Sequence, residues 1–183
     1  MQDALAFDAV RDARAPADPR EAIDWLDAGA RILVDAAAAH PDTQVWTFTG
    51  PQPARWWVRR RLHEVVVHCA DAAIALGAPF DPYPALAADA ISELFGLVLT
   101  RMPDLGGKSI HLHATDDGLG AAGEWTIASG ALTQSHDKAD LALRGPATDL
   151  LLVTTRRRQV GDTAVEVFGD QALLQTWLDG MKF

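Results

Sequence analysis

At Pro103-Asp104-Leu105-Gly106-Gly107 the hydrophobic period of this chain changes, and that change limits the possible folds more than any other feature. Before it, apolar residues recur at helical spacing. After it, they alternate in the stretches SIHLHAT and GEWTIAS. A period of 3.6 places side chains on one helical stripe, whereas a period of two places them on one face of a strand. A chain that switches between them builds helices first and a sheet afterwards. The expected fold class is therefore α+β, with a helical domain over residues 1–103 and a small α+β domain over residues 104–183.

Within the first domain, Asp18-Pro19 has the residues of a helix start, an Asp cap followed by a Pro at the first helical position. Ile23, Leu26, Ala30, Leu33, Val34 and Ala37 then mark one buried face, and His40-Pro41-Asp42 stops the helix. The aromatic stretch VWTFTGPQPARWW, punctuated by Gly50, Pro51 and Pro53, predicts an ordered crossover loop rather than a strand. A second helix is predicted from about Ala54 to Leu76, where Gly77 and Pro79 end it. A third, from about Ala85 to Met102, buries Leu86, Ile91, Leu94, Phe95, Val98, Leu99 and Met102. Beyond the switch, strands are expected at Ser109–Thr115, Glu124–Ala128, Ala139–Arg144 and Ala164–Phe168. Helices are expected through Leu150–Thr155 and from Asp170 onward.

Charge and composition remove several function classes. With 25 acidic against 16 basic residues and a net charge of −9, the chain lacks the basic field that releases counterions from nucleic acid. Arg59-Arg60-Arg61 and Arg156-Arg157-Arg158 are local exceptions. The single cysteine, Cys69, excludes an intramolecular disulfide framework and a zinc ribbon. No uninterrupted apolar run of membrane-spanning length occurs, and the first twenty residues carry charges throughout, so a soluble cytoplasmic protein is expected. No glycine-rich phosphate cradle or compelling Ser-His-Asp order is present.

Chemistry concentrates in R-R-L-H-E-V-V-V-H-C-A-D, residues 60–71. Glu64 and His68 are one turn apart and can share a divalent ion, with Asp71 orienting the imidazole. Arg60, Glu64, His68 and Asp71 continue this stripe, while Leu62, Val65, Val66, Cys69 and Ala73 point elsewhere and are expected to be buried. Spacing alone also allows a plainer reading, in which Glu64 pairs with Arg60 or Arg61 and His68 pairs with Asp71 as ordinary surface contacts. His40 reads as a solvent-facing residue of a helix end. His111 and His113 share one strand face and can pair on a metal, though an exposed strand face is the commoner case. His136 reads as a turn residue. Cys69 lies about 100° around the helix from His68, where a thiol is usually inert packing.

The run RWWVRRRLHEVVVHCADA, with VWTFTGP upstream and LAADAISEL downstream, resembles the mycothiol-dependent maleylpyruvate isomerase family. ADLALRGPATDLLL followed by VEVFGDQALLQTW is similar to that family's C-terminal domain. The resemblance implies an incomplete DinB-like bundle of about three helices followed by the family's α+β domain. The family's W-x-x-x-x-L-x-x-H-like first helix, with its ligand His, has no counterpart upstream of Asp18. A bundle short of that helix would expose an apolar groove suited to self-association.

The resemblance also implies zinc held by Glu64 and His68, with Asp71 and Arg144 acting in catalysis. It implies mycothiol as a low-molecular-weight thiol cofactor and a small-molecule substrate, with no nucleic-acid or membrane partner. The expected activity is metal-assisted cis–trans isomerisation. A transferase acting on another electrophile, or a non-catalytic paralogue that binds metal weakly or docks a partner, are the alternatives.

Overall fold

The computed structural model describes residues 14–99, 102 and 104–181. The chain forms two compact units, Met1–Arg59 and Arg60–Phe183, and the division falls inside the second helix. The expectation that no family-like helix precedes Asp18 falls largely on residues 1–13, outside the described residues.

In the first unit, helix α1 spans Pro19–Ala39. Its start follows the predicted chemistry, because the Asp18 carboxylate accepts from the otherwise unpaired backbone N–H groups of Arg20 and Glu21. The expected apolar face is less buried than its period suggests. Ala37 is buried, but Ile23, Leu26 and Val34 are exposed. The aromatic stretch is not wholly a loop. Two-residue strands β1 (Gln44–Val45) and β2 (Gln52–Pro53) pair antiparallel across it. Pro53 is tolerated there because the ribbon is all edge. Phe48, Trp56 and Trp57 pack edge to face, with ring centroids 4.9–6.1 Å apart. Trp57 Nε1 donates to the Trp46 carbonyl at 3.1 Å.

Helix α2 spans Arg55–Leu76. The second unit continues with α3 (Pro84–Val98), strand β3 (Ile110–Ala114), β4 (Glu124–Ala128), β5 (Ala131–Thr133), β6 (Leu141–Gly145), α4 (Ala147–Thr154), β7 (Glu166–Gly169) and α5 (Gln171–Gly180). The sheet order is β5-β4-β3-β6-β7, with β3 and β6 parallel and every other pair antiparallel. Strand β5 was not expected from the sequence. Ser129 and Gly130, both at positive φ, make the two-residue turn that joins it to β4. At the opposite edge Gly169 is required, because a Cβ there would lie 2.1 Å from the Asp140 carbonyl oxygen.

The two faces of this sheet have opposite character. Ile110, Leu112, Trp125, Ile127, Leu141 and Leu143 are buried in one core with Ala87, Ile91 and Phe95 of α3, Leu150 and Leu151 of α4, and Leu173 and Trp177 of α5. Phe95 and Trp177 meet with centroids 6.1 Å apart. Trp125 Nε1 donates to Ser92 Oγ at 2.9 Å, so this fully buried indole keeps a partner inside the core. The change of period at residues 103–107 therefore lies within the second unit, because α3 supplies part of the layer that covers the sheet. No described helix is long and apolar enough to cross a membrane.

Candidate functional site

The face of α2 that is buried in the second unit carries His63, Val66 and Ala70. The expected burial of Leu62, Val65 and Cys69 is not observed, since all three are exposed. A histidine takes the inner position instead, and the reason is its partner on α3. His63 Nδ1 donates to Glu93 Oε2 at 2.9 Å, and Arg60 Nη1 donates to the same oxygen at 2.8 Å. Glu93 is 4% exposed. Burial raises its pKa, but hydrogen bonds from His63 and Arg60 outweigh that effect and hold it below the ordinary carboxylate value. His63 Nε2 lies 3.0 Å from Asp89 Oδ2, in an orientation that does not make a hydrogen bond.

One turn further out, Glu64 and His68 lie side by side, with Glu64 Oε2 3.5 Å from His68 Nε2. Glu64 also pairs with Arg60 and, at 3.7 Å, with Arg61. His68 Nδ1 donates to Asp71 Oδ2 at 3.0 Å. Asp71 in turn accepts both Nε and Nη2 of Arg157, at 2.9 and 3.1 Å. The Arg157 hydrogen bond, followed by that of His68, holds the Asp71 carboxyl below its ordinary value. A cavity of about 340 Å³ is lined by Arg60, His63, Glu64, His68 and Arg157 on the polar side and by Val67, Leu94 and Leu151 on the apolar side.

The donor chemistry of this cluster suits a divalent cation. A carboxylate only accepts, so the Nδ1 proton of His68 points at Asp71 and the Nε2 lone pair is left toward Glu64. Two donors on one tetrahedral zinc, with bonds of about 2.0–2.1 Å, lie roughly 3.3 Å apart. The 3.5 Å separation here is close to that. Arg60 competes for the same carboxylate.

Glu64 and His68 thus line one cavity, with Asp71 hydrogen-bonded to His68 and Arg157 of its lining, while Arg144 is elsewhere. It lies on β6, pairs with Glu166 of β7 at 3.0 Å, and borders a different cavity with His113, Glu124 and His136. The arginine that the α+β portion brings to Asp71 is Arg157. Sequence reasoning takes Arg157 only as part of a basic run, does not single out His63, and reads Glu93 with Asp89 as a solvated or Arg-paired edge of the third helix, with a carboxylate facing the bundle centre as the alternative. Glu93 is in fact buried, with Arg60 and His63 as its partners. Their one local sign was polarity at inward positions of α2 and α3.

A helical N-terminal segment that leads into a sheet layered by helices defines a two-part α+β protein, with Glu64 and His68 lining one of its cavities. The family model for the mycothiol maleylpyruvate isomerase N-terminal domain matches residues 1–73, and that for the MDMPI C-terminal domain matches residues 85–176. The chain belongs to the mycothiol maleylpyruvate isomerase family. The first match begins at residue 1 and so takes in the segment upstream of Asp18, and the second takes in α3. No curated protein matches the sequence. Among solved structures, sterol carrier protein 2 like 2 from Aedes aegypti is 15% identical over 49% of this chain and 94% of that one, with a TM-score of 0.36.

Proposed function

We propose that this protein is a mycothiol-dependent, metal-assisted cis–trans isomerase of maleylpyruvate-type substrates, acting in the cavity bordered by α2. The observation that carries the reading is that Glu64, His68 and Arg157 line one cavity, with Asp71 bonded to the last two, in a chain from this family. When bound, zinc held by Glu64 and His68 would lower the pKa of the thiol and so supply the nucleophile needed for reversible addition to a conjugated double bond.

The residues of the chain do the rest. His68 Nε2 and Glu64 would hold the cation, and Asp71 keeps the imidazole in the tautomer that can. Arg157 has five N–H groups, three of which go to Asp71 and to the Thr155 carbonyl. Two remain for a substrate carboxylate, and the Asp71 pair fixes the plane in which they are offered. Val67, Leu94 and Leu151 form the apolar wall against which the unsaturated carbons would lie. The cavity volume is within the range of small-molecule sites.

The test is turnover of a maleylpyruvate substrate by the purified protein, with and without mycothiol. The trans product should form only with the thiol, and the thiol should be recovered unconsumed. Glu64→Gln and His68→Ala should each lower kcat/KM by at least about 100-fold. Turnover without thiol, unchanged kcat/KM in both variants, or consumption of one thiol per substrate would each overturn the isomerase reading. The last of these would indicate a transferase.

A further inference from the structure

The solvent side of the sheet holds a second cluster that the reading above does not use. Strand alternation puts His111 and His113 of β3 on the face opposite the core, and the antiparallel register sets His113 beside Glu124 and His111 beside Thr126 of β4. His136 arrives from the segment after β5. That segment is tied back to the sheet by Thr126 Oγ1, which donates to the Ser135 carbonyl at 2.9 Å.

Three imidazoles thus converge on one carboxylate. His111 Nε2 lies 2.8 Å from Glu124 Oε2, and Nδ1 of His113 and of His136 lie 2.7 and 3.0 Å from Oε1. The rings of His111 and His136 are 4.9 Å apart, and those of His113 and His136 are 5.4 Å apart. His111 is buried, contrary to the exposed strand face expected from its alternation, and Glu124 is largely buried. Unprotonated imidazole nitrogens and a carboxylate oxygen held this close form a donor set that a divalent ion can share. Nitrogen and oxygen donors of this kind suit zinc and its first-row neighbours.

We propose that His111, Glu124 and His136 form a divalent transition-metal site of the zinc type on the outer face of the sheet, with His113 holding the carboxylate in place. One ligand atom from each of the three lies within 4.8 Å of the others, and among the described residues they are the one such group of three. Because His111 and Glu124 sit on paired strands, two of the three donors are set by the sheet before metal arrives. Glu124 and His136, with His113, line a cavity of about 480 Å³ together with Asp116, Gln134 and Arg144, so the cluster is open to solvent on the Glu124–His136 side. The Arg144 charge beside the cluster is paired with Glu166.

The test uses the full chain freed of metal by chelation, titrated with Zn²⁺ against a chromophoric chelator and with Co²⁺ by visible absorption. The α2 donors are removed in Glu64→Gln/His68→Ala, so its failure and that of the isomerase reading are separate. Wild type and that double variant should both bind, with visible cobalt bands and a zinc-induced rise in Tm. His136→Ala removes an exposed ligand outside the regular elements and should lower zinc affinity by at least about tenfold. Glu124→Gln keeps the side-chain shape, should do the same, and should abolish the rise in Tm. If the double variant binds no metal, or if His136→Ala and Glu124→Gln bind like wild type, the proposal is overturned.

Discussion

Glu64 and Glu124 each sit among basic side chains, but the chain assembles the two settings in different ways. Around Glu64 the partners Arg60, Arg61 and His68 lie within one turn of the same helix. Around Glu124 the three histidines come from an adjacent strand and from beyond β5. A helix alone places the first set, whereas the second exists only where β3, β4 and the segment after β5 have found their register. A local cluster is therefore insensitive to the rest of the fold, and a strand-built cluster shares its stability with the sheet.

That contrast is open to direct attack. The largest expected effect breaks it from the helical side, where the inner residues of α2 do depend on a tertiary partner. Glu93→Ala leaves His63 buried and Arg60 without its inner carboxylate. It should lower the unfolding free energy by about 3–5 kcal/mol in urea titration. A loss below about 1 kcal/mol would mean that the trio is not sealed. The same group predicts an acid dependence. Its folded pKa lies below the unfolded value near 4.5, so its contribution is complete above that pH. The contribution disappears as pH falls through the lower folded pKa. Glu93→Gln, which cannot ionise, should therefore lose less stability than wild type between neutral pH and pH 3.

A smaller difference sharpens the comparison itself. Glu124→Ala deprives the buried His111 of its partner and should cost about 1–3 kcal/mol, while Glu64→Ala, at a half-exposed helix position, should cost under about 1 kcal/mol. Equal losses in the same denaturation series would erase the distinction between local and sheet-built clusters. The smallest effects separate two arginines. Arg157→Ala should lower isomerase kcat/KM by about 10- to 100-fold. Arg144→Ala, which breaks an exposed pair, should leave kcat/KM within about twofold and stability within about 0.5 kcal/mol. The reverse ranking would return the catalytic arginine to β6.

What could be read in advance follows the same division. The α1 cap at Asp18, the Gly77 stop after α2 and the alternation of β3 and β4 are local, and each was legible. The turn at Ser129-Gly130 was local too, and its dipeptide was the overlooked sign of β5. The expected inward positions of α2 were another matter. Leu62 and Val65 have the hydrophobicity of core residues, yet His63 is buried instead, since Glu93 thirty residues later accepts a hydrogen bond from its Nδ1.

By itself the sequence determined the change from helix to sheet, the placing of Glu64, His68 and Asp71 on one stripe, and membership of the family, because each rests on near-neighbour periodicity or on motifs in order. Only the tertiary structure decided that Arg157 rather than Arg144 meets Asp71, that His63 is sealed by Glu93, and that Glu124 gathers three histidines. Those contacts join residues whose separation along the chain carries no periodic signal, and their energies come from burial and strand register, which exist only once the core has closed.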